Sequence, residues 1–393
     1  MNKRTLYKLN AYTVSLLFLA LIFTALMVSV IEEDASVSKA EKRRLSGFPP
    51  LELRVGSIKK FPGRFDDYFS DHFGGREWLS STYRKLKYAL GDSPSKDVTL
   101  GKDGWLFLGS IKKGYTHYGD PIGDIRNVNL YSEDGLRKLA TYMMAMKQWL
   151  HKQGIEYLFV LAPNKHTIYT EKLPDYITKV NQRSSADQLV EYLKNHTDIK
   201  VVDLRQPLLD KKEEHLLYKR TGTHWNHYAV NIAQYEIMQA VQQFYPKAVN
   251  PRIFELKDQV KHSGGDLASM IGNREFQELA PIPIFKNTCR PVKKPKHAKE
   301  TETFTVTCEG KKLSLMIFRD SFFNDIKQYF SRQINRTTYI WGKLDFAILK
   351  QHLERQKTDL VIEEMVERKL PYIPRPISEL NMNYETITQS NSK

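Results

Sequence analysis

Short apolar segments alternate with helix-patterned ones from residue 133 onward, and this alternation narrows the fold more than any other feature of the chain. "IEYLFVLAP" (155–163), "IKVVDL" (199–204), "KLSLMIF" (312–318), "TTYIW" (337–341) and "DLVIEEM" (359–365) read as buried strands. Apolar residues at helical spacing fill "EDGLRKLATYMMAMKQWLHKQG" (133–154), "SADQLVEYLKNH" (185–196) and "HYAVNIAQYEIMQAVQQF" (227–244). "NDIKQYFSRQI" (324–334) and "FAILKQHLERQ" (346–356) continue that pattern, and Ser132 stands where the first of these helices needs an N-cap. Strands buried on both faces and separated by helices predict a three-layer α/β domain around a mostly parallel sheet. Functional residues of such sheets gather at the carboxyl ends of the strands. That rule points to Pro163–Lys165, Asp203–Leu204 and Asp320–Ser321.

Upstream lies an uncharged run, "AYTVSLLFLALIFTALMVSVI", over residues 11–31. A hydrocarbon core is spanned by a helix of about 20 residues, so the run is long enough to cross it. Lys3, Arg4 and Lys8 precede it and Glu32, Glu33 and Asp34 follow, which predicts a cytoplasmic N-terminus and an exported body. A cleaved signal peptide is the competing reading, but "MVSVIEEDAS" offers no small-x-small cleavage site. The sequence thus divides into a cytoplasmic tip (1–10), a signal-anchor (11–31), a polar, aromatic stalk leading into the domain (32–125), the α/β domain (126–376) and a polar tail (377–393). Within the stalk, "FPGRFDDYFSDHFGGREWL" is expected to form a short amphipathic helix. The net charge of +15 suits an anionic partner. An exported location and dispersed basic residues argue against nucleic acid. Cys289 and Cys308, the two cysteines of the chain, have the opportunity to pair in an oxidising compartment.

Two serines compete as nucleophile. "GDSP" (91–94) follows a helical pattern and precedes no helix, so it reads as a helix stop and turn. Ser321 in "LMIFRDSFFNDI" sits where an apolar strand meets a helix, a junction that exposes a hydroxyl beside backbone N–H donors. On its own it reads equally as a helix N-cap. "YKRTGTHWNHYAV" (218–230) supplies a histidine, His224, but places Gly222 where an orienting carboxylate would be useful. His215, His224 and His227 lack metal-ligand spacing.

Together with "FPGRFDDYFSDHFGGR" (61–76), "LKYALGDSPSKDVTLGKDGWLFLG" (86–109), "VLAPNKHTIYTEKLP" (160–174) and "SGGDLASMIG" (263–272), these segments resemble one family. It is that of the SGNH-hydrolase-like O-acetyltransferases of alginate-type exopolysaccharides, of the AlgJ/AlgX kind. The resemblance implies Ser321 as nucleophile, His224 as general base, and an acid two residues before the histidine, where this chain has Gly222. Losing the acid of such a triad costs about four orders of magnitude in turnover. Three readings follow: an impaired or non-catalytic polysaccharide-binding homologue, a substitute carboxylate (Asp203 or Asp266), or a serine–histidine dyad oriented by a backbone carbonyl. Asp320, next to Ser321, is expected to point away from the nucleophile. A carbohydrate acetyl esterase, with water as acceptor, would use the same residues.

The resemblance further implies an exopolysaccharide acceptor, a membrane-bound acyltransferase that supplies acetyl groups, a periplasmic body on the bacterial inner membrane, and no cofactor. Trp225, Asn226, Arg319, Lys165 and Tyr169 are candidate groove residues. Gly264 and Gly265 are candidate oxyanion donors, or simply make a turn.

Overall fold

The computed structural model describes residues 3–31, 34, 36–38, 43–109, 119–273, 275–286 and 288–372. The polar tail, residues 377–393, lies outside them. The chain forms two compact units, one of residues 1–94 with 269–273 and the other of 95–268 with 274–393.

In the first unit, α1 (Lys3–Ile31) is one continuous helix of 29 residues that contains the apolar run. Among the described residues no helix is long and apolar enough to cross a membrane; the side chains of Leu21, Ile22, Ala25, Leu26 and Val30 are outside that set. The polar, aromatic region, expected to hold one short amphipathic helix, forms two, α2 (Val55–His72) and α3 (Arg76–Ala89). Phe61, Phe65 and Phe69 stack along α2 at centroid spacings of 6.0 and 6.4 Å, because residues four apart share a helix face. Gly91 follows α3 with φ +75°, a left-handed conformation that ends the helix and removes "GDSP" from any strand-to-helix junction.

In the second unit, β1 (Val98–Leu100) and β2 (Leu106–Leu108) form an antiparallel hairpin, followed by α4 (Pro121–Ile125). Next come α5 (Glu133–His151), β3 (Glu156–Ala162), α6 (Ser185–His196), β4 (Lys200–Asp203) and α7 (His227–Phe244). After β5 (Val292–Lys294) and β6 (Phe304–Thr307) the chain runs β7 (Ser314–Arg319), α8 (Phe323–Phe330), β8 (Arg336–Trp341), α9 (Phe346–Leu353) and β9 (Leu360–Val366). Local chemistry sets several starts. Ser132 accepts from the Gly135 N–H to cap α5, and Ser184 with Asp187 forms a capping box on α6.

The sheet order is β5-β6-β8-β7-β9-β3-β4. The five strands from β8 to β4 are parallel, as expected, and β6 and β5 add an antiparallel edge. Side chains alternate between faces. Leu158, Val160 and Ala162 join Leu315, Ile317, Leu360 and Ile362 in one core with α7 and α8. Tyr157, Phe159 and Leu161 join Met316, Phe318 and Val361 in the other, with α5, α6 and α9. This two-sided burial is why the strands read as unbroken apolar runs.

The α/β unit begins at Ser95, within the segment (32–125) expected to hold the stalk and the N-terminal part of the domain. The reason is packing: Trp105, Phe107 and Ile125 are part of the α7-side core. Cys289 and Cys308 form a disulfide beside the antiparallel edge.

Candidate active site

Ser321 and His224 come from segments far apart in sequence and meet at the carboxyl end of the sheet. β7 ends at Arg319, and Asp320–Ser321 turns the chain toward α8. His224 ends a tight loop just before α7, held by an antiparallel bridge between Tyr218 and Trp225. The Ser321 Oγ and His224 Nε2 lie 2.9 Å apart, within hydrogen-bonding reach of a nucleophile and its base. Burial pushes the imidazole below its ordinary pKa, and the Asp266 charge opposes that shift. His224 is therefore predominantly neutral, able to accept the serine proton, at neutral pH.

Asp320 turns away from the nucleophile, as expected. Its Oδ1 accepts from the Phe322 N–H at 2.9 Å, and its Oδ2 pairs with Lys369 at 3.1 Å. Burial acts upward on this carboxyl, but the Lys369 and Arg368 charges and the Phe322 bond hold it below the usual range. Because the Phe322 N–H is occupied, it is not a free oxyanion donor. The N–H of Ser321 meets no acceptor among the described residues.

No side chain occupies position 222, yet a carboxylate stands beside it. A Cβ built on Gly222 would lie 3.2 Å from Asp266 Oδ1. Asp266 accepts from the Thr223 N–H at 2.7 Å, one residue before the histidine. Burial acts upward on its carboxyl; the neighbouring His224 and the Thr223 bonds outweigh it, and Asp266 stays ionised. It acts on the imidazole through charge, without a direct hydrogen bond. Asp203 is elsewhere, bound to Arg205 at 2.7 Å at the end of β4.

The candidate groove residues are structural in this fold. Trp225 is buried and donates through Nε1 to the Phe322 carbonyl at 3.1 Å, tying the histidine loop to the serine turn. Asn226 caps α7 through the Tyr228 N–H. Arg319 is fully buried, donating to Asn324 and Glu300 and lying 4.8 Å over the Trp341 ring, because β7 is a central strand. The Tyr169 hydroxyl accepts from the Leu217 N–H at 2.9 Å. Lys165 is buried among backbone carbonyls. Gly265 donates its N–H to Thr221 Oγ1 at 2.9 Å, so that group serves the fold and not an oxyanion. Any Cβ on Gly265 would meet Gly222 Cα at 2.6 Å, and one on Gly264 would meet Ala268 Cβ at 2.5 Å. Close approach of the backbone accounts for Gly265, and close approach of the Ala268 side chain for Gly264. His215 stacks on Tyr228 at 4.0 Å and His227 Nδ1 lies 3.1 Å from the Tyr329 hydroxyl.

Three residues of the site escaped the motif reading. Glu278 accepts from the N–H groups of Arg220 and Thr221. Arg368 donates to Asn164 Oδ1 at 2.8 Å, with its guanidinium 5.2 Å from the Phe322 ring. Glu364 is buried within β9 and accepts from the Asp320 N–H at 3.0 Å. The acids of "VIEEM", placed inside an apolar strand, were the available signal for Glu364; nothing in the local sequence marked Arg368 or Glu278.

Residues 98–367 match the family described as SGNH hydrolase-like domain, acetyltransferase AlgX. Among curated proteins, the chain is similar to "Probable alginate O-acetylase AlgJ" of Pseudomonas syringae pv. tomato, with 22% identity over 240 residues, 58% of this chain and 55% of that protein. The protein of the same name from Pseudomonas putida is 23% identical over 235 residues, 58% of this chain and 56% of its own. The chain thus spans about half the length of the curated relatives it matches. Among solved structures, the O-acetyltransferase domain of Pseudomonas putida AlgJ superposes with a TM-score of 0.47 at 15% identity, over 74% of this chain and 99% of that one.

Proposed function

We infer the function of this chain from its family: it belongs to the SGNH hydrolase-like domain family of the acetyltransferase AlgX. We propose that it transfers acetyl groups to hydroxyls of an exopolysaccharide. The observation that carries the reading is the 2.9 Å approach of Ser321 Oγ to His224 Nε2 at the carboxyl end of the sheet. His224 takes the serine proton as Oγ attacks the acetyl carbonyl and passes it to the donor's leaving group as that departs, giving an acetyl-serine and a neutral imidazole. The Ser321 N–H stabilises the oxyanion. A sugar hydroxyl then gives its proton to His224 as it attacks the acetyl carbonyl, and the imidazolium returns that proton to Oγ as the acyl–Oγ bond breaks, regenerating Ser321. Asp266 is the substitute acid: its ionised carboxylate favours the imidazolium that forms in each step.

The acceptor class follows from the relatives' name, alginate O-acetylase. A membrane-bound acyltransferase supplies the acetyl groups. Residues 11–31 anchor the chain in a bacterial inner membrane, with everything after them in the periplasm. The uncharged run over residues 11–31, with Lys3, Arg4 and Lys8 before it and Glu32, Glu33 and Asp34 after it, and the disulfide, at home in an oxidising compartment, support that placement. Alkaline carbonate washing tests it: full-length protein is expected to stay with membranes, and a chain starting at residue 32 to be released.

The enzymatic reading is tested by incubating the protein with an activated acetyl ester, with and without oligosaccharide. Acetyl-Ser321 and acetylated oligosaccharide are expected from the parent, and neither from Ser321→Ala. Acetate release without sugar acetylation would make the protein an esterase, and no acetyl-serine at all would defeat the reading.

A further inference from the structure

The loop Lys219–Thr223, which delivers His224, has its backbone dipoles sorted between buried charges. On one side the Lys165 amino group, 2% exposed, donates to the carbonyls of Lys219 at 2.7 Å, Arg220 at 2.8 Å and Gly222 at 3.1 Å. It also donates to the Leu106 carbonyl of the hairpin at 2.6 Å. Burial brings its pKa down to about 7, and the Glu278 and Asp266 charges oppose that shift in favour of the ammonium. On the other side the Glu278 carboxylate, 4% exposed, accepts from the N–H groups of Arg220 at 3.0 Å and Thr221 at 2.5 Å, and from the Thr221 hydroxyl. Asp266 takes the next N–H, that of Thr223.

This is not an ordinary ion pair, because Lys165 hydrogen-bonds no carboxylate among the described residues. Its three N–H donors are shared among four carbonyls, and the Trp105 and Phe107 rings face Nζ at 4.9 and 5.0 Å. Carbonyls converging in a buried space need donors, and one ammonium supplies them all. Gly222 brings no side chain to hold the loop from within, so its geometry is imposed from outside.

We propose that Lys165 and Glu278 form a charge clamp that positions His224 against Ser321, compensating by backbone immobilisation for the carboxylate that position 222 lacks. They are positioning residues, and the proposal rests on the serine–histidine reading above. Removing either side of the clamp frees the loop, and a shift of about 1 Å in a catalytic group costs about a hundredfold in rate.

The test uses the full chain, the variants Lys165→Met and Glu278→Gln, and their combination. Hydrogen exchange over residues 217–226 reports the clamp independently of any chemistry. The amides of residues 220, 221 and 223 are expected to exchange about tenfold faster in each variant, with α7 beyond residue 230 unchanged. The reaction of Ser321 with an arylsulfonyl fluoride reports the base. Its maximal rate is expected to fall about a hundredfold at an unchanged half-saturating concentration, the double variant being no slower than the worse single one. Unchanged exchange in the variants overturns the clamp. Faster exchange with undiminished Ser321 reactivity overturns its positioning role. An unreactive Ser321 in the parent protein defeats the serine–histidine reading instead, while exchange still decides the clamp. Glu278→Gln keeps the side-chain volume, and it alone applies the same criteria should Lys165→Met fail to unfold cooperatively.

Discussion

At Gly222 the site departs from a complete triad, and Asp266 makes a specific prediction there. A new aspartate at 222 would enter a space already tight against Lys219 and Asp266 Oδ1, at 3.1 and 3.2 Å from its Cβ. Two carboxylates would then compete for one imidazole. Gly222→Asp is therefore expected to leave acetyl turnover unimproved and to lower stability by about 1–3 kcal/mol, read by denaturant melts. Asp266→Asn keeps an acceptor for the Thr223 N–H but removes the charge. Turnover is expected to fall about 10–100-fold, less than the roughly 10⁴ lost when an acid hydrogen-bonded to the imidazole is replaced. The pH profile follows from His224. The base works when neutral, so activity rises with pH through its pKa, which burial places below the ordinary value of about 6.5. Plots of kcat/KM against pH are expected to reach a plateau before neutrality. In Asp266→Asn the inflection moves lower still, because the charge that favoured the imidazolium is gone.

Among the elements, the sheet shows most clearly what local pattern reveals and what it hides. β3, β7, β8 and β9 were legible because Leu158, Ile317, Tyr339 and Ile362 sit among apolar neighbours on strands buried on both faces. β5 and β6 were not, since "VKK" and "FTVT" bury at most alternate residues at the edge. The hairpin β1–β2 was hidden for a different reason, its strands of three residues each being too short to show a period; Trp105 and Phe107 there pack on Tyr169 and His166. The edge carries its own prediction. The Cys289–Cys308 disulfide, between cysteines 19 residues apart, restricts the unfolded chain. Reduction is expected to lower the stability of the α/β unit by about 3 kcal/mol, measured as a shift in the denaturant midpoint with and without reductant.

Across the whole α/β unit, the buried acids make folding depend on pH. Burial and the charge of Asp124 push Glu367 from its ordinary 4.5 up to about 8, and burial raises Asp124 to about 6. A carboxyl that holds its proton more tightly when folded stabilises the protein fully below its unfolded pKa. That contribution is lost as pH rises through the folded value. From Glu367 the loss runs between about pH 4.5 and pH 8. Glu367→Gln, which keeps an acceptor for the Asn164 N–H, is expected to flatten the decline of Tm over that window relative to the parent. The sequence by itself determined the mostly parallel α/β architecture and the strand end that bears Ser321, because these depend on periodicity within a few residues; the pairing of Ser321 with His224 was implied by the resemblance of their motifs to those of the family. Only the tertiary structure decided that Asp266 stands beside Gly222, that Arg319, Trp225 and Tyr169 are buried in the framework, and that Lys165 and Glu278 grip the histidine loop. Those assignments depend on which side chains converge across tens to hundreds of residues, and convergence of that kind leaves no trace in local spacing.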